Sequence, residues 1–231
     1  MKIFVLCFVL SFFAVSCSIE SDSPSGDISN NGAELLINSD LPENKANPFD
    51  GKGKKYYDLL IAYLQNNRVP NSISEVTDQI QFLSANYPND GSTGRSPLSI
   101  SSEQLVLIMN DPKYKLSEII ESSSLSSVAK LDLVNFIQTL SVQQDMEYAE
   151  VYKYIVSYES TIIESTTLSG DEKEIILSVS SVSRFALYAE SGGGDTDRDW
   201  ETSVANRKKQ RVFDHYKASI VSVLVLFGKL V

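Results

Sequence analysis

Ser169-Gly170-Asp171-Glu172-Lys173-Glu174-Ile175-Ile176-Leu177-Ser178-Val179-Ser180-Ser181-Val182-Ser183-Arg184-Phe185-Ala186-Leu187-Tyr188-Ala189-Glu190 is the stretch on which the fold class turns. Ser169 and Glu172 have the S-x-x-E spacing of a capping box, and Asp171 and Glu172 put negative charge where the helix dipole favours it. Ile175, Val179, Val182, Ala186 and Ala189 then recur at helical intervals and form one apolar stripe. Within Ser178–Ser183 the same residues also alternate with period two, the best strand signal in the chain. The helical stripe accounts for them better, so the segment is read as a helix that ends at Gly192-Gly193-Gly194.

The segments on either side show the same period. Tyr56, Leu59, Leu60, Tyr63 and Leu64 make a stripe that must stop before Pro70. A second helix is expected from about Ser74, carrying Val76, Ile80 and Leu83. Residues 88–97 hold Pro88, Gly91, Gly94 and Pro97 and read as a loop. Ser102 to Asn110 and Lys113 to Ser122 are two short helices separated at Pro112. Leu133, Phe136, Ile137 and Leu140 mark another, and Gln144 to Glu164, free of Gly and Pro, carries Tyr148, Val151, Tyr152, Ile155 and Ile162 on one broad face. A last helix from about Asp199 runs through His215 into the apolar end. The expectation is all-α, an irregular bundle of about seven helices with no internal repeat.

The N-terminus speaks of location. Lys2 precedes an apolar run from Ile3 to Leu10, then Ser11-Phe12-Phe13, and Ala14-Val15-Ser16-Cys17 closes it with small residues. That is the layout of a secretory signal peptide, and the run is shorter than the roughly 20 residues needed to span a bilayer. The junction resembles the lipobox of bacterial lipoproteins, although Ala14 stands where Leu is usual. The resemblance implies a Cys17 that is acylated, palmitate-type chains included, and becomes the mature N-terminus. Ser18 rather than Asp argues, by the same resemblance, against inner-membrane retention. Glu20, Asp22 and Asp27 resemble the acidic tethers of surface lipoproteins of some Gram-negative bacteria. The expected division is a signal peptide (1–16), a lipidated Cys17 with a flexible acidic tether (17–46), and one helical domain (47–231).

Composition excludes several chemistries. The 231-residue chain has a net charge of −10, the wrong sign for non-specific nucleic-acid binding. With Cys7 in the signal and Cys17 acylated, the folded part keeps no thiol for a disulfide, a metal or a nucleophile. His215 is the single histidine, too few for a zinc or non-haem iron site, and no cofactor is expected. The charge is uneven: from Asn206 onward Arg207, Lys208, Lys209, Arg211, Lys217 and Lys229 face one acid, Asp214.

The motifs that could carry chemistry are incomplete. Asp195, Asp197 and Asp199 alternate as in the first half of a calcium loop. Trp200 and Asn206 then stand where Gly and Glu are required, and Arg198 puts a cation among the acids. A solvated loop is expected. Ser127-Val128-Ala129-Lys130 has the S-x-x-K form of penicillin-binding enzymes without their S-D-N and K-T-G partners, and no G-x-S-x-G elbow exists for His215 to serve. Gly51-Lys52-Gly53-Lys54 lacks the spacing of a phosphate loop and is expected to start a helix. Ala218 to Gly228, uncharged and rich in Val, Leu and Ile, reads first as a buried core helix. Its alternative is a segment that contacts a membrane or partner through Arg207, Lys208, Lys209 and Arg211.

Asn47-Pro48-Phe49-Asp50, the Leu168–Lys173 cap and Asp199-Trp200 after the glycines together resemble a group of uncharacterised helical lipoproteins of Gram-negative bacteria. The resemblance implies a fold and a location in the outer membrane or at the cell surface, and no activity. The chain's ending departs from the Gly- and Ala-rich tails of that group. The expected function is a lipid-anchored, non-catalytic helical module. It meets the membrane through its lipid and binds an envelope or extracellular protein. Two other readings stand beside it: a precursor whose segment 195–231 is released as a membrane-active, bacteriocin-like peptide, and an envelope hydrolase without a recognisable motif.

Overall fold

Serine opens most of the helices in the computed structural model, which describes residues 41–87, 101–111, 118–191 and 214–230. The helices are α1 (Asp50–Leu64), α2 (Ile73–Asn86), α3 (Ser102–Asn110), α4 (Ser127–Ser141), α5 (Tyr148–Glu164), α6 (Gly170–Glu190) and α7 (His215–Leu230), with a helical turn at 118–121. Ser72, Ser101, Ser126 and Ser169 sit in extended backbone one residue ahead of α2, α3, α4 and α6. Each hydroxyl accepts a first-turn N–H that the helix itself cannot bond. At Ser101 and Ser169 the box is reciprocal, with the side chains of Gln104 and Glu172 accepting the cap's own N–H at 3.0 and 2.8 Å. The architecture is all-α, and no strand occurs among the described residues.

The amphipathic stripes point inward as the period requires. Tyr56, Leu60 and Tyr63 of α1, Val76, Ile80 and Leu83 of α2, and Leu133, Phe136, Ile137 and Leu140 of α4 are all buried. Phe136 lies between Tyr154 and Tyr158 of α5, one helical turn apart, with near-parallel rings at 6.0 and 4.3 Å. α7 is the apolar end of the chain, and Ile220 to Phe227 are buried without interruption. It packs mainly on α6 and also meets α2, α3 and α4. The buried-helix reading of this segment therefore holds for the described residues, and the Tyr216 hydroxyl donates to the Leu140 carbonyl at 2.7 Å.

Two expectations are corrected. The first concerns α6, which was read as having one apolar stripe. Ile176 to Tyr188 are buried all round, while Ile175 and Ala189 at the ends of the stripe are only half-buried. α1, α5 and α7 surround the helix, and α1 is its most extensive neighbour. The second concerns the boundary at residue 46. Pro42 and Asn44 are already buried against the domain, so at least Leu41–Ala46 belong to it rather than to a flexible tether. Residues 1–40, and with them the signal and most of the tether, lie outside the described residues, as do 112–117 and the expected start of the last helix at Asp199.

Glu172 does more than cap its own helix. Its second carboxylate oxygen accepts the N–H of Ser126 at 2.9 Å, so one side chain holds the starts of both α4 and α6. The Ser126 hydroxyl first, then the N–H groups of Ser169 and Ser126, hold its pKa down from 4.5 to about 2. A depressed carboxylate pKa stabilises the fold above the unfolded value and stops doing so as pH falls through the folded one. In urea melts at pH 5 and pH 2, the stability gap between wild type and Glu172→Gln is expected to narrow at the lower pH. A gap that stays constant would show that the charge is immaterial.

Candidate functional site

Among the described residues, a connected group of polar side chains lies buried where the segment before α1 crosses α5 and α6. Arg184 is the sole charged residue between Glu174 and Glu190, and Glu159 continues the buried stripe of Val151 and Ile155 on α5. Both side chains are 0 % exposed, and the guanidinium nitrogen Nη2 stands 3.2 Å from Glu159 Oε1. Nη2 also donates to Asp50 Oδ1, and Nη1 donates to the Pro42 carbonyl. The planar fork of arginine suits this task, because several N–H groups diverge from a single buried charge.

Glu159 is densely bonded. Its Oε1 accepts from Asn47 Nδ2 at 2.9 Å and Arg184 at 3.2 Å, with Ser180 Oγ at 3.0 Å sharing its proton between this oxygen and the Leu177 carbonyl, and its Oε2 accepts from Asn44 Nδ2 at 2.6 Å. Both carboxylate oxygens are thus engaged by protein donors in a fully buried position. Burying this charge is tolerable because it is paired and fully hydrogen-bonded.

The two asparagines work by one device used twice. Asn44 Oδ1 accepts the N–H of Ala46 at 3.1 Å, and Asn47 Oδ1 accepts that of Phe49 at 2.8 Å, two Asx-turns three residues apart. The turns aim both amide groups at α5 and α6, where Asn47 Nδ2 also reaches the Leu177 carbonyl at 3.0 Å. The turn-forming Asn47-Pro48 pair thus has a structural purpose. Around the cluster, Tyr152 donates to the Glu43 carbonyl and Tyr148 to the Arg184 carbonyl, both at 3.0 Å. Burial pushes the Tyr148 phenol well above its ordinary pKa, so it stays a neutral donor.

α1 comes unusually close to α6 just beyond the cluster. Ser181 Oγ donates to the Asp50 carbonyl at 2.9 Å and accepts the Gly53 N–H at 3.1 Å. A Cβ on Gly53 would lie 2.4 Å from the Phe185 ring and 2.5 Å from the Ser181 carbonyl. Small side chains on both helices make this approach possible.

The sequence-derived candidates fall elsewhere. Cys17, the calcium candidates Asp195, Asp197 and Asp199, and the basic contact residues Arg207, Lys208, Lys209 and Arg211 all lie outside the described residues. Ser127 follows the cap of α4, and Lys130 Nζ donates to the Glu121 carbonyl at 2.8 Å and stands 3.7 Å from the Glu121 carboxylate, so the preceding turn holds it. Gly51 to Lys54 form the first turn of α1, with Lys54 in an exposed pair with Glu43 at 3.5 Å. His215 is the half-buried first residue of α7. Among the described residues no three or more His, Cys, Asp or Glu side chains gather in a form that could hold a metal ion, and no helix is long and apolar enough to cross a membrane.

Sequence reasoning passed over Arg184, Glu159 and Asn44, and marked Asn47 only as part of a motif without a role. A lone arginine in the otherwise uncharged run Ile175–Ala189 was the available signal, since such a residue must find a counter-charge if the run is buried. Compared with protein-family models, with curated proteins and with solved structures, the chain matches none.

Proposed function

We propose that the chain is a lipid-anchored cell-envelope protein whose helical domain is a non-catalytic interaction module. One observation carries the catalytic part of this reading. The buried acid and base that would be the natural centre of a reaction, Glu159 and Arg184, are paired with each other and covered by the segment Pro42–Asp50, with 0 % of either side chain exposed to a substrate. The site holds the fold together, which leaves the outer surface for recognition. The anchoring part rests on Lys2, the apolar run and Ala14-Val15-Ser16-Cys17. On this reading the lipid on Cys17 inserts in the membrane, the following residues lead to the domain, and Arg207, Lys208, Lys209 and Arg211 face the envelope surface. Release of 195–231 as a free peptide is the less economical reading, because α7 would take the buried run Ile220–Phe227 out of the core.

The test is fractionation of producing cells. Wild type is expected in the membrane pellet and Cys17→Ser in the soluble fraction, and a variant that stays membrane-bound overturns the anchor. Chemical cross-linking of intact cells is expected to join the anchored protein to a discrete partner; a protein that stays uncross-linked yet turns over an envelope substrate would overturn the module.

A further inference from the structure

We propose that residues 41–49 form a releasable strap, held together with the Asp50 side chain by a latch of mainly polar and ionic bonds, that opens as a unit while the helices, α1 from the Asp50 backbone onward included, stay packed. Tension on the chain leading back to Cys17 opens it first. The second statement rests on the anchoring reading above; the first does not.

The strap differs in kind from everything else that packs on α6. Of its residues only Pro42, Asn44 and Asn47 are buried, and two of these three are polar. Leu41 and Phe49 are half-buried, and Lys45, Ala46 and Pro48 are exposed. Its polar attachments are the Pro42 carbonyl on Arg184, the Glu43 carbonyl on Tyr152, the Asn44 and Asn47 amides on Glu159, the Asn47 amide on the Leu177 carbonyl, and the Asp50 carboxylate on Arg184; its apolar contacts are the half-buried Leu41 against Tyr57, Phe185 and Tyr188 and the half-buried Phe49 against the main core. A contact made of hydrogen bonds exchanges readily with water, whereas apolar burial does not.

Opening would leave no charge stranded. The asparagine amides and the two carbonyls would become hydrated with the strap. Glu159 and Arg184 would keep each other at 3.2 Å, and Ser180 would keep its 3.0 Å bond to Glu159, in a groove then open to water. This differs from deleting a partner by mutation, which would keep the groove closed over an unpaired ion. The hinge also has room: a Cβ at Gly51 would meet nothing within 4 Å, while Gly53, two residues on, is locked against α6. Opening therefore stops where α1 is clamped.

The strap is also where chain from the N-terminus first meets the domain along the described residues. Among the described residues, a pull from the N-terminal side reaches the bonds of Pro42 and Asn44 before any helix. Releasing nine residues lengthens the chain by at most about 30 Å, their full extension, less the distance the strap already spans when bound. The latch would thus pay out slack while the helices stay folded.

Hydrogen exchange on the full chain tests the opening without a variant. Peptides covering 41–50, which include the bonded N–H groups of Ala46 and Phe49, are expected to exchange at least tenfold faster than peptides covering Ile176–Tyr188. Their rates should not respond to sub-denaturing urea, as local opening exposes little surface. Exchange of strap and core at one rate, with one urea dependence, would overturn the strap. Pulling single molecules by positions 17 and 231 tests the coupling: a first, separate lengthening of no more than about 30 Å before the main rupture supports it, and rupture of the domain without such a step overturns it. Cys17→Ser fractionation reads the anchor alone, so loss of the anchor and loss of the strap give different results.

Discussion

Replacing Arg184 with alanine is expected to destabilise the domain by about 3–5 kcal/mol, the usual cost of removing one partner from a buried ion pair. The variant leaves Glu159 fully buried with its cation gone, and the Pro42 carbonyl and Asp50 lose their donor. Asp50, with 18 % of its side chain exposed, can recover some hydration, and Glu159 cannot. In urea the midpoint should fall by about 2 M for a slope near 2 kcal/mol/M. The double variant Arg184→Met, Glu159→Met removes both charges and is expected to recover at least half of that loss, since two apolar chains of similar length need no counter-ion. A loss under about 1 kcal/mol for Arg184→Ala would mean that the cluster is hydrated in solution and does not organise the core.

Gly53→Ala is expected to be the second most damaging change, and here two effects oppose each other. Alanine favours a helix over glycine by about 1 kcal/mol. Against this, the added methyl would sit 2.4 Å from the Phe185 ring and the Ser181 Oγ, and 2.5 Å from the Ser181 carbonyl. The serine could rotate and the ring could tilt, but the carbonyl belongs to the backbone of a helix buried on every side. α1 must therefore move away from α6, breaking the Gly53 N–H bond to Ser181 and loosening Asp50 on Arg184. Overpacking costs about 1–3 kcal/mol and more where the backbone has to shift, so a net loss of about 3 kcal/mol is expected. Thermal melts of Gly53→Ala beside Gly51→Ala check this. Gly51 has open space where its Cβ would stand, so its variant should be neutral or slightly stabilised. Equal melting points for the two would show that the helices do not meet this closely in solution.

Individual elements show how far local pattern reaches. The α6 cap was legible because Ser169 and Glu172 lie three residues apart, and the whole device closes within one turn. The faces of α1, α2 and α4 were legible because each helix has an outward side, so helical period alone sorts its residues. α6 has no outward side. Its serines lie outside the stripe read from the period, yet they are buried: Ser183 bonds the Val179 carbonyl at 2.9 Å, Ser180 reaches Glu159 and Ser181 reaches α1. Small hydroxyl side chains can bond their own helix or a neighbour, so they fit a crowded interior as well as water does. Asn47-Pro48-Phe49-Asp50 stood out as a motif, but its role depends on what stands opposite.

What the sequence by itself determined is the helical class, the Ser169–Glu172 cap, the break before Pro70, and the apolar end that becomes a core helix. Each of these is set by interactions within about one or two turns. Only the tertiary structure decided that α6 is the central element and that Asn44, Asn47 and Asp50 close over Glu159 and Arg184. Those partners are 115, 112 and 134 residues apart along the chain, and no periodicity extends that far. A buried charge demands a partner, but the demand names only the type of partner. The packing of α1, α5 and α6 against one another chose which residues would answer it.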